Sequence, residues 1–248
     1  MIAAPGGTPG RTLFISDLHL DESRPRIVAQ YERFLAEVAP GSDALYILGD
    51  LFEYWVGDDG LALPFPQRVA AALRPVAAKL PVRFMHGNRD FLVAQDFARA
   101  TGVELIEDPT RIDLYGARAL LMHGDTLCTD DTAYQAFRAQ VRDPSWQSAA
   151  LARPIGERLA MAQGLRAESE GAKQAKAMEI MDVAPQAVEQ AFVACDCDLL
   201  IHGHTHRPGK HVYRAGGRER VRWVLPDWYE RGGYLEASPE GVRAVETF

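Results

Sequence analysis

Short apolar runs recur along the chain, and each of them ends in polar residues. Their length of four or five residues and their branched and aromatic side chains are typical of buried β-strands. The runs fall at residues 12–16, 44–48, 82–85, 118–122 and 198–201. We predict a strand at each of these positions.

Between the early runs, the apolar positions change to a helical period. Residues 27–38 place their apolar side chains on one stripe, as expected for a helix that packs against a sheet. Residues 69–80 form a second such segment, in which we expect Pro75 to kink or end the helix. The alternation of strands and helices predicts a layered α/β fold.

Residues 126–185 differ from the rest, because they show no strand pattern and strong helix formers dominate. Pro144 and Pro154 divide this segment into two or three predicted helices. We therefore predict a helical insertion, or cap, within an α/β core of residues 11–125 and 186–248. The end of the core returns to strand-like sequence.

Composition and charge narrow the class of protein. Of the 248 residues, 47% are apolar and 25% are charged, as in ordinary globular proteins, and the net charge of -7 argues against nucleic acid as a partner. The odd number of cysteines, three, predicts a reducing compartment, the cytoplasm. Residues 1–10, rich in Gly and Pro, are expected to be flexible, and they hold no apolar run like that of a signal peptide.

Each predicted strand is followed by side chains that commonly bind metals. Ligands bind beyond the carboxyl ends of the strands in open α/β sheets, so the groups are expected to meet there. One Asp or His at such a place is more often a cap or a turn residue, but an ordered set at five strand ends predicts a shared site. In chain order the residues are Asp17 and His19, Asp50, Asn88 and Asp90, His123 and Asp125, and His204 and His206.

The types of ligand fit two divalent ions. Carboxylate, amide and imidazole groups suit Mn²⁺, Mg²⁺, Fe²⁺ or Zn²⁺. Two such ions, roughly 3.5–4 Å apart, can share a hydroxide and bind the oxygens of a phosphoryl group. Asp50 is the expected bridging ligand, because a carboxylate has two oxygens to share.

The series Asp-x-His, Gly-Asp, Gly-Asn-x-Asp, His and Gly-His-x-His resembles the calcineurin-like metallophosphoesterase superfamily. Longer segments narrow the resemblance to the UDP-2,3-diacylglucosamine pyrophosphohydrolases, a family of lipid A biosynthesis in Gram-negative bacteria. These segments are ISDLHL, LGDLFEYWVGDD, HGNRDFL, HGDTLCTDD, MEIMDV, HGHTHRP and WVLPDWYERGGYLE. The resemblance implies a layered sandwich of β-sheets flanked by helices, with residues 126–185 as a cap for a lipid substrate.

The resemblance also implies a set of metal ligands and catalytic residues. The usual cofactor of the family is a pair of Mn²⁺ ions. Ligands of the first ion would be Asp17, His19, Asp50 and His206. Those of the second ion would be Asp50, Asn88, His123 and His204. The catalytic residues would be Asp50, Asn88, Arg89 and His123.

The implied substrate is UDP-2,3-diacylglucosamine, whose diphosphate would be cleaved to UMP and 2,3-diacylglucosamine 1-phosphate. Hydroxide activated by the metals would attack the phosphorus that bears uridine. A lipid of this kind implies peripheral association with the cytoplasmic side of the inner membrane. The implied substrate contacts are Asn88, Arg89, Asp131, Ser169, Lys173, Lys176 and His204. The family often has Asn at the position of Lys173, so the role of this lysine is open.

Arg89 stands where the wider superfamily commonly has a histidine that can protonate a leaving group. Arginine stays charged and is a poor acid at neutral pH, but its fork can brace phosphate oxygens. A sugar phosphate titrates near pKa ~6 and can leave without a proton. Arg89 therefore favours a diphosphate substrate over an alkyl phosphodiester, unless it only positions its loop.

The insertion is the region available to shelter the acyl chains. Tyr134, Phe137 and Val141 share one face of a predicted helix, although simple packing onto the core would also explain most of its apolar residues. Two other functions stay open. One is a different phosphodiesterase or nucleotide pyrophosphohydrolase of the superfamily, and the other is a nonenzymatic metal-dependent scaffold. The intact ligand set favours an enzyme.

Overall fold

Eleven strands and seven α-helices make up the part of the chain that the structure describes, residues 10–175, 182–230 and 232–247 of a computed structural model. The strands are β1 (Thr12–Ile15), β2 (Ala44–Leu48), β3 (Val82–Met85), β4 (Glu104–Ile106), β5 (Thr110–Leu114), β6 (Ala117–Leu121), β7 (Leu199–His202), β8 (Gly209–Ala215), β9 (Arg218–Val224), β10 (Gly232–Ser238) and β11 (Gly241–Thr247). The helices are α1 (Pro25–Arg33), α2 (Pro64–Ala77), α3 (Gln95–Thr101), α4 (Thr132–Val141), α5 (Pro144–Leu151), α6 (Ile155–Ala175) and α7 (Pro185–Cys195).

The strands form two sheets. The first has the order β11-β10-β1-β2-β3-β4, in which β1 to β4 are parallel and β10 is antiparallel to both of its neighbours. The second has the order β5-β6-β7-β9-β8, in which the three central strands are parallel and both edge strands are antiparallel. The predicted ligand groups follow five parallel strands, three in the first sheet and two in the second.

The sheets and helices form four layers. Leu13 and Ile15 of β1 pack with α1, α2 and α3 on the outer side of the first sheet. Phe14, between them, points to the opposite side and shares an apolar core with the second sheet. On the far side, Val188 and Phe192 of α7 cover the second sheet. Strands buried on both faces in this way explain why the sequence shows continuous apolar runs.

The predicted strands are confirmed, with ends displaced by one residue at most. The predicted helix at residues 27–38 is also confirmed, as α1 followed by a π-helical turn at Phe34–Val38. Pro75 was expected to kink or end the second helix; the helix does not end at Pro75, and the kink stays a prediction. Helix α2 starts at Pro64 and continues past Pro75 to Ala77. Pro75 removes one backbone hydrogen bond, that to the carbonyl four residues before it, and only two residues of the helix follow it.

The insertion contains the three helices α4, α5 and α6, and none of its described residues forms a strand. Pro144 is the first residue of α5, and α6 begins directly after Pro154. The α/β class and the sandwich with a helical cap are therefore confirmed. Residues 1–9, expected to be flexible, and Lys176 lie outside the described residues. Within the described ranges, no helix combines the length and apolar character needed to cross a membrane.

Candidate metal centre and its cavity

The predicted metal ligands converge where the two sheets meet. Their loops leave the carboxyl ends of β1, β2 and β3 in the first sheet and of β6 and β7 in the second. Five of the candidate ligands have left-handed backbones, with φ between 49° and 66°, which is uncommon for residues other than glycine. These five are Asp17, His19, Asp50, His204 and His206.

Glycines in the same motifs let the loops approach one another. A Cβ atom on Gly49 would lie 2.6 Å from the Cα atom of Gly87. A Cβ atom on Gly203 would lie 2.1 Å from Asp17 Oδ2. The Gly-Asp, Gly-Asn and Gly-His pairs of the sequence are thus needed for close packing of the site.

One group of ligands surrounds the imidazole of His19. Its Nε2 atom lies 3.3 Å from His206 Nε2 and 3.8 Å from Asp50 Oδ2. Asp17 Oδ1 lies 3.4 Å from His206 Nε2. This oxygen is buried and accepts no hydrogen bond from the described residues. Because a buried carboxylate oxygen needs a partner, the group fits a cation at this point.

A second group surrounds the amide of Asn88. Its Oδ1 atom lies 3.0 Å from His123 Nε2 and 3.1 Å from His204 Nδ1. Asp50 Oδ1 lies 3.8 Å from His123 Nε2, while its other oxygen faces His19. Asp50 thus stands between the two groups. Candidate ligand atoms of Asp17, Asp50 and His123 also lie within 4.8 Å of one another.

Contacts behind the ligands hold them in place. Asp90 is fully buried and accepts hydrogen bonds from the backbone of Gly87 at 2.8 Å and of Leu51 at 2.8 Å. It therefore ties the loop after β2 to the loop after β3. His123 Nδ1 donates to the carbonyl of Leu48 at 2.9 Å, which turns its Nε2 atom to the site. Such outer contacts orient metal ligands and tune their basicity.

Burial and the charges of neighbouring side chains shift the pKa values of the candidate ligands in both directions. Burial raises the pKa of Asp50, and the charge of Asp17 adds to this effect. Burial opposes protonation of His123, but the carboxylates around it, above all Asp50, raise its pKa to about 9. Burial, reinforced by His123, lowers the pKa of His204 to about 3. The donor set and its field fit divalent cations bound by oxygen and nitrogen.

The candidate metal centre opens into a cavity of about 450 Å³. Asp50, Asn88, Arg89, His204 and His206 line its polar end. The remaining wall is largely apolar and is formed by the core segments after β2 and β3 and by the cap. Its apolar members include Trp55, Val56, Phe91, Leu92, Phe137, Trp146, Met161 and Leu165.

The predicted substrate contacts are described in part. Arg89 lines the cavity, and its Nε atom is buried without a hydrogen-bond partner among the described residues. Asp131 also lines the cavity, but its side chain accepts a hydrogen bond from the backbone of Tyr134 at 3.0 Å and so caps α4. Ser169 and Lys173 lie on α6. The structure does not describe their side chains.

Two anchors of the cap were not predicted from the sequence. Asp125 is fully buried and accepts hydrogen bonds from Tyr134 Oη at 2.8 Å and Arg138 Nε at 2.7 Å. Arg158 of α6 is 3% exposed and donates to Asp59 and to the carbonyl of Val56. The anchor at Asp125 had one signal in the sequence, since this residue follows His123 by two positions. No motif marks Arg158.

A family model described as calcineurin-like phosphoesterase matches residues 10–208. The chain therefore belongs to the calcineurin-like phosphoesterase family. It is 53% identical over 239 residues to a UDP-2,3-diacylglucosamine hydrolase of Xanthomonas campestris pv. campestris (strain B100), covering 93% of this chain and 96% of that protein. A protein of the same name from Stenotrophomonas maltophilia (strain K279a) is 51% identical with the same coverage.

These relatives place the chain within the UDP-2,3-diacylglucosamine hydrolases. Among solved structures, a novel archaeal phosphodiesterase is similar at a TM-score of 0.47 and 11% identity, with 96% of this chain and 99% of that chain covered.

Proposed function

We propose that this protein hydrolyses the diphosphate of UDP-2,3-diacylglucosamine with two Mn²⁺ ions, giving UMP and 2,3-diacylglucosamine 1-phosphate. The observation that carries this proposal is the continuity of one cavity, which joins the ligand cluster to the apolar wall of the cap. A substrate with a diphosphate and two acyl chains needs both halves of such a cavity. Relatives that are 53% identical bear the name of this substrate.

The ligand arrangement supports two ions. Asp17, His19, Asp50 and His206 would hold one of them. Asp50, Asn88, His123 and His204 would hold the other, and Asp50 would belong to both sets, because its two oxygens face His19 and His123. Bound divalent ions supply Lewis acidity toward phosphoryl oxygens and make water nucleophilic at neutral pH.

The protein's own side chains orient the diphosphate. Arg89 faces the cavity at the polar end, where its guanidinium can brace two phosphate oxygens in a bidentate manner. Its buried Nε donor would gain a partner from the substrate. Since the leaving sugar phosphate has a pKa of ~6, no acidic side chain has to protonate it. Arg89 therefore stabilises charge and transfers no proton.

The cap, residues 126–185, serves in this proposal to hold the acyl chains against the core of residues 11–125 and 186–248. Phe137, Met161 and Leu165 would contact the chains along the apolar wall. Asp131, Ser169 and Lys176 would contact the polar part of the lipid, as they follow the family's pattern of substrate contacts. Lys173 departs from that pattern, and we propose that its ammonium group binds a phosphate or hydroxyl of the same substrate. Apolar walls with few polar groups are typical of lipid pockets.

The proposed location of the protein is the cytoplasmic face of the inner membrane, to which it would bind peripherally. The support is the substrate itself, because a lipid with two acyl chains resides in a bilayer. We expect the protein to sediment with vesicles that contain UDP-2,3-diacylglucosamine more than with vesicles that lack it. Equal sedimentation with both would argue against recruitment by the substrate.

The decisive experiment is hydrolysis of the named lipid in ¹⁸O-labelled water with Mn²⁺. We expect UMP as a product and the label in UMP, because the attack is proposed at the phosphorus that bears uridine. Label in the sugar phosphate would contradict this site of attack. Absence of UMP, with activity retained on simple phosphodiesters, would point to another phosphodiesterase function.

A further inference from the structure

Glu53 is a buried carboxylate beside His19 of the candidate metal centre, and both residues line the cavity. It lies in the segment LGDLFEYWVGDD, but the resemblance carried by that segment assigns it no role. Its side chain is 2% exposed. The backbone around it is fixed, since Glu53 donates its N–H to the carbonyl of Leu20 at 3.1 Å and His19 donates its N–H to the carbonyl of Asp50 at 3.0 Å. The segment that carries Asp50 and Glu53 therefore lies alongside the segment that carries His19.

The two nitrogens of His19 face different partners. Nε2 faces the candidate metal ligands, with Asp50 Oδ2 at 3.8 Å and His206 Nε2 at 3.3 Å. Nδ1 faces the opposite way, toward Glu53 Oε2 at 3.8 Å. Glu53 Oε2 is buried and accepts no hydrogen bond within the described part of the chain. A shift of less than 1 Å would therefore give this acceptor an N–H donor from the imidazole.

The other oxygen of Glu53 contacts the cap. Arg166 of α6 places its Nε atom 2.8 Å from Glu53 Oε1. Arg24, from the core, lies 3.8 Å from Glu53 Oε2 and donates to the carbonyl of His19 at 3.2 Å. One carboxylate thus has a metal-ligating imidazole on one side and a cap arginine on the other.

We propose that Glu53 is a positioning residue, which holds His19 with Nε2 toward the metal and links α6 of the cap to that ligand. The inference rests on the two-ion site proposed above. A carboxylate behind a metal-bound imidazole fixes its tautomer and ring orientation, and loss of such a partner typically costs 10–100-fold in metal affinity. Seating of the cap on Glu53 would therefore affect how firmly one of the two ions is held.

The test is a Mn²⁺ titration of the metal-free full-length protein, followed by calorimetry and by electron paramagnetic resonance. Wild type is expected to bind two ions and to show the spin-coupled signal of a close pair. Glu53→Gln is expected to weaken one ion by about 10–100-fold and to leave the other nearly unchanged. At intermediate Mn²⁺ the variant should then show the signal of an isolated ion.

Asp59→Asn is the matched control. It makes the same exchange of carboxylate for amide and also removes an ion pair to α6, that with Arg158, but it contacts none of the candidate ligands among the described residues. Its Mn²⁺ binding should equal that of wild type. Equal losses in Asp59→Asn and Glu53→Gln would show that any loosening of the cap weakens the ion, and the specific role of Glu53 would be wrong.

The link to the cap is tested by Arg166→Gln alone and together with Glu53→Gln. The single variant should weaken the same ion, and the double variant should be no worse than Glu53→Gln, because the two residues act through one contact. Full additivity, or no effect of Arg166→Gln, would disprove the link.

Glu53→Asp covers the case in which Glu53→Gln does not fold. It keeps the charge with a shorter reach, so its Mn²⁺ affinity should fall between those of Glu53→Gln and wild type. If Glu53→Gln does not fold, the expected result is a Mn²⁺ affinity of Glu53→Asp below that of wild type. Wild type with two ions and all Glu53 variants unchanged would overturn only the role of Glu53. Wild type with fewer than two ions would overturn the two-ion proposal as well.

Discussion

Gly87 lies against the carboxylate of Asp50 so closely that a Cβ atom on Gly87 would stand 2.1 Å from Asp50 Oδ1 and 2.3 Å from the Asp50 nitrogen. No side chain other than hydrogen fits between these two loops. The proposed bridging ligand is thus held by the backbone of the neighbouring motif as well as by hydrogen bonds.

We therefore expect Gly87→Ala to remove most activity and to weaken Mn²⁺ binding, because the added methyl group displaces Asp50. Gly164→Ala is the control, since nothing lies within 4 Å of its added Cβ atom on α6. Alanine within a helix should stabilise the protein by about 0.5–1 kcal/mol. Activity assays, Mn²⁺ titration and thermal unfolding check both variants, and wild-type activity in Gly87→Ala would contradict the close contact.

Asp50 and His206 should differ in their effect on the metals. Asp50→Asn is expected to weaken both ions, because its oxygens face His19 on one side and His123 on the other. His206→Ala is expected to weaken mainly the ion near Asp17, whose Oδ1 atom lies 3.4 Å away. Elemental analysis and Mn²⁺ titration measure the difference. One ion per folded wild-type chain at saturating Mn²⁺ would contradict the pair.

Arg89→Ala should lower turnover of the diphosphate by about 10²–10³-fold, as expected for loss of a donor that stabilises the transition state. Arg89→His should recover little on this substrate, since the leaving phosphate needs no acid. It is expected to gain on poorer alkyl diesters, where a proton helps. Steady-state kinetics on both substrates test these expectations. Wild-type kinetics in Arg89→Ala would mean that the residue only shapes its loop.

The apolar wall is tested by Leu165→Glu, which places a charge where the acyl chains are proposed to lie. The variant should lose most activity on the diacylated lipid, because binding of the acyl chains would remove an unpaired carboxylate from water. Hydrolysis of a small chromogenic phosphodiester should persist. Val193→Glu is the matched control, since Val193 is 54% exposed on α7 and is not among the residues that line the cavity. Equal losses on both substrates would point to damage of the core instead.

The strands that position the site could be predicted because they are buried on both faces. β2 is buried at all five positions, and its sequence is a continuous apolar run. The edge strand β5 was not predicted. Its exposed positions, Arg111 and Asp113, are charged and interrupt the apolar residues, so the segment lacks a continuous apolar run. Strands such as this depend on their partner strand more than on their own composition.

The convergence of the candidate ligands could be predicted from their order, but the contacts behind them could not. Arg158 reaches Val56 across 102 positions of sequence, and no spacing rule connects them. The pair Asp58 and Asp59 reads as a solvated turn. In the structure, however, Asp58 accepts hydrogen bonds from Trp55 and from the backbone of Phe97 at the start of α3, while Asp59 pairs with Arg158. Such roles arise only when distant segments pack.

The left-handed backbone at five ligand positions has a consequence for how this enzyme would decay. A residue with a side chain costs roughly 1–2 kcal/mol in that conformation, whereas glycine adopts it freely at an entropic cost of about 0.5–1 kcal/mol. Replacing Asp17 or Asp50 by glycine would relieve this conformational cost, but it would leave the backbone N–H of His204 or of Arg89 without its carboxylate acceptor. An unsatisfied buried donor costs about 1–3 kcal/mol, so the two effects are of similar size. A duplicated gene could therefore lose one of these carboxylates, and with it the proposed activity, while its product keeps the fold.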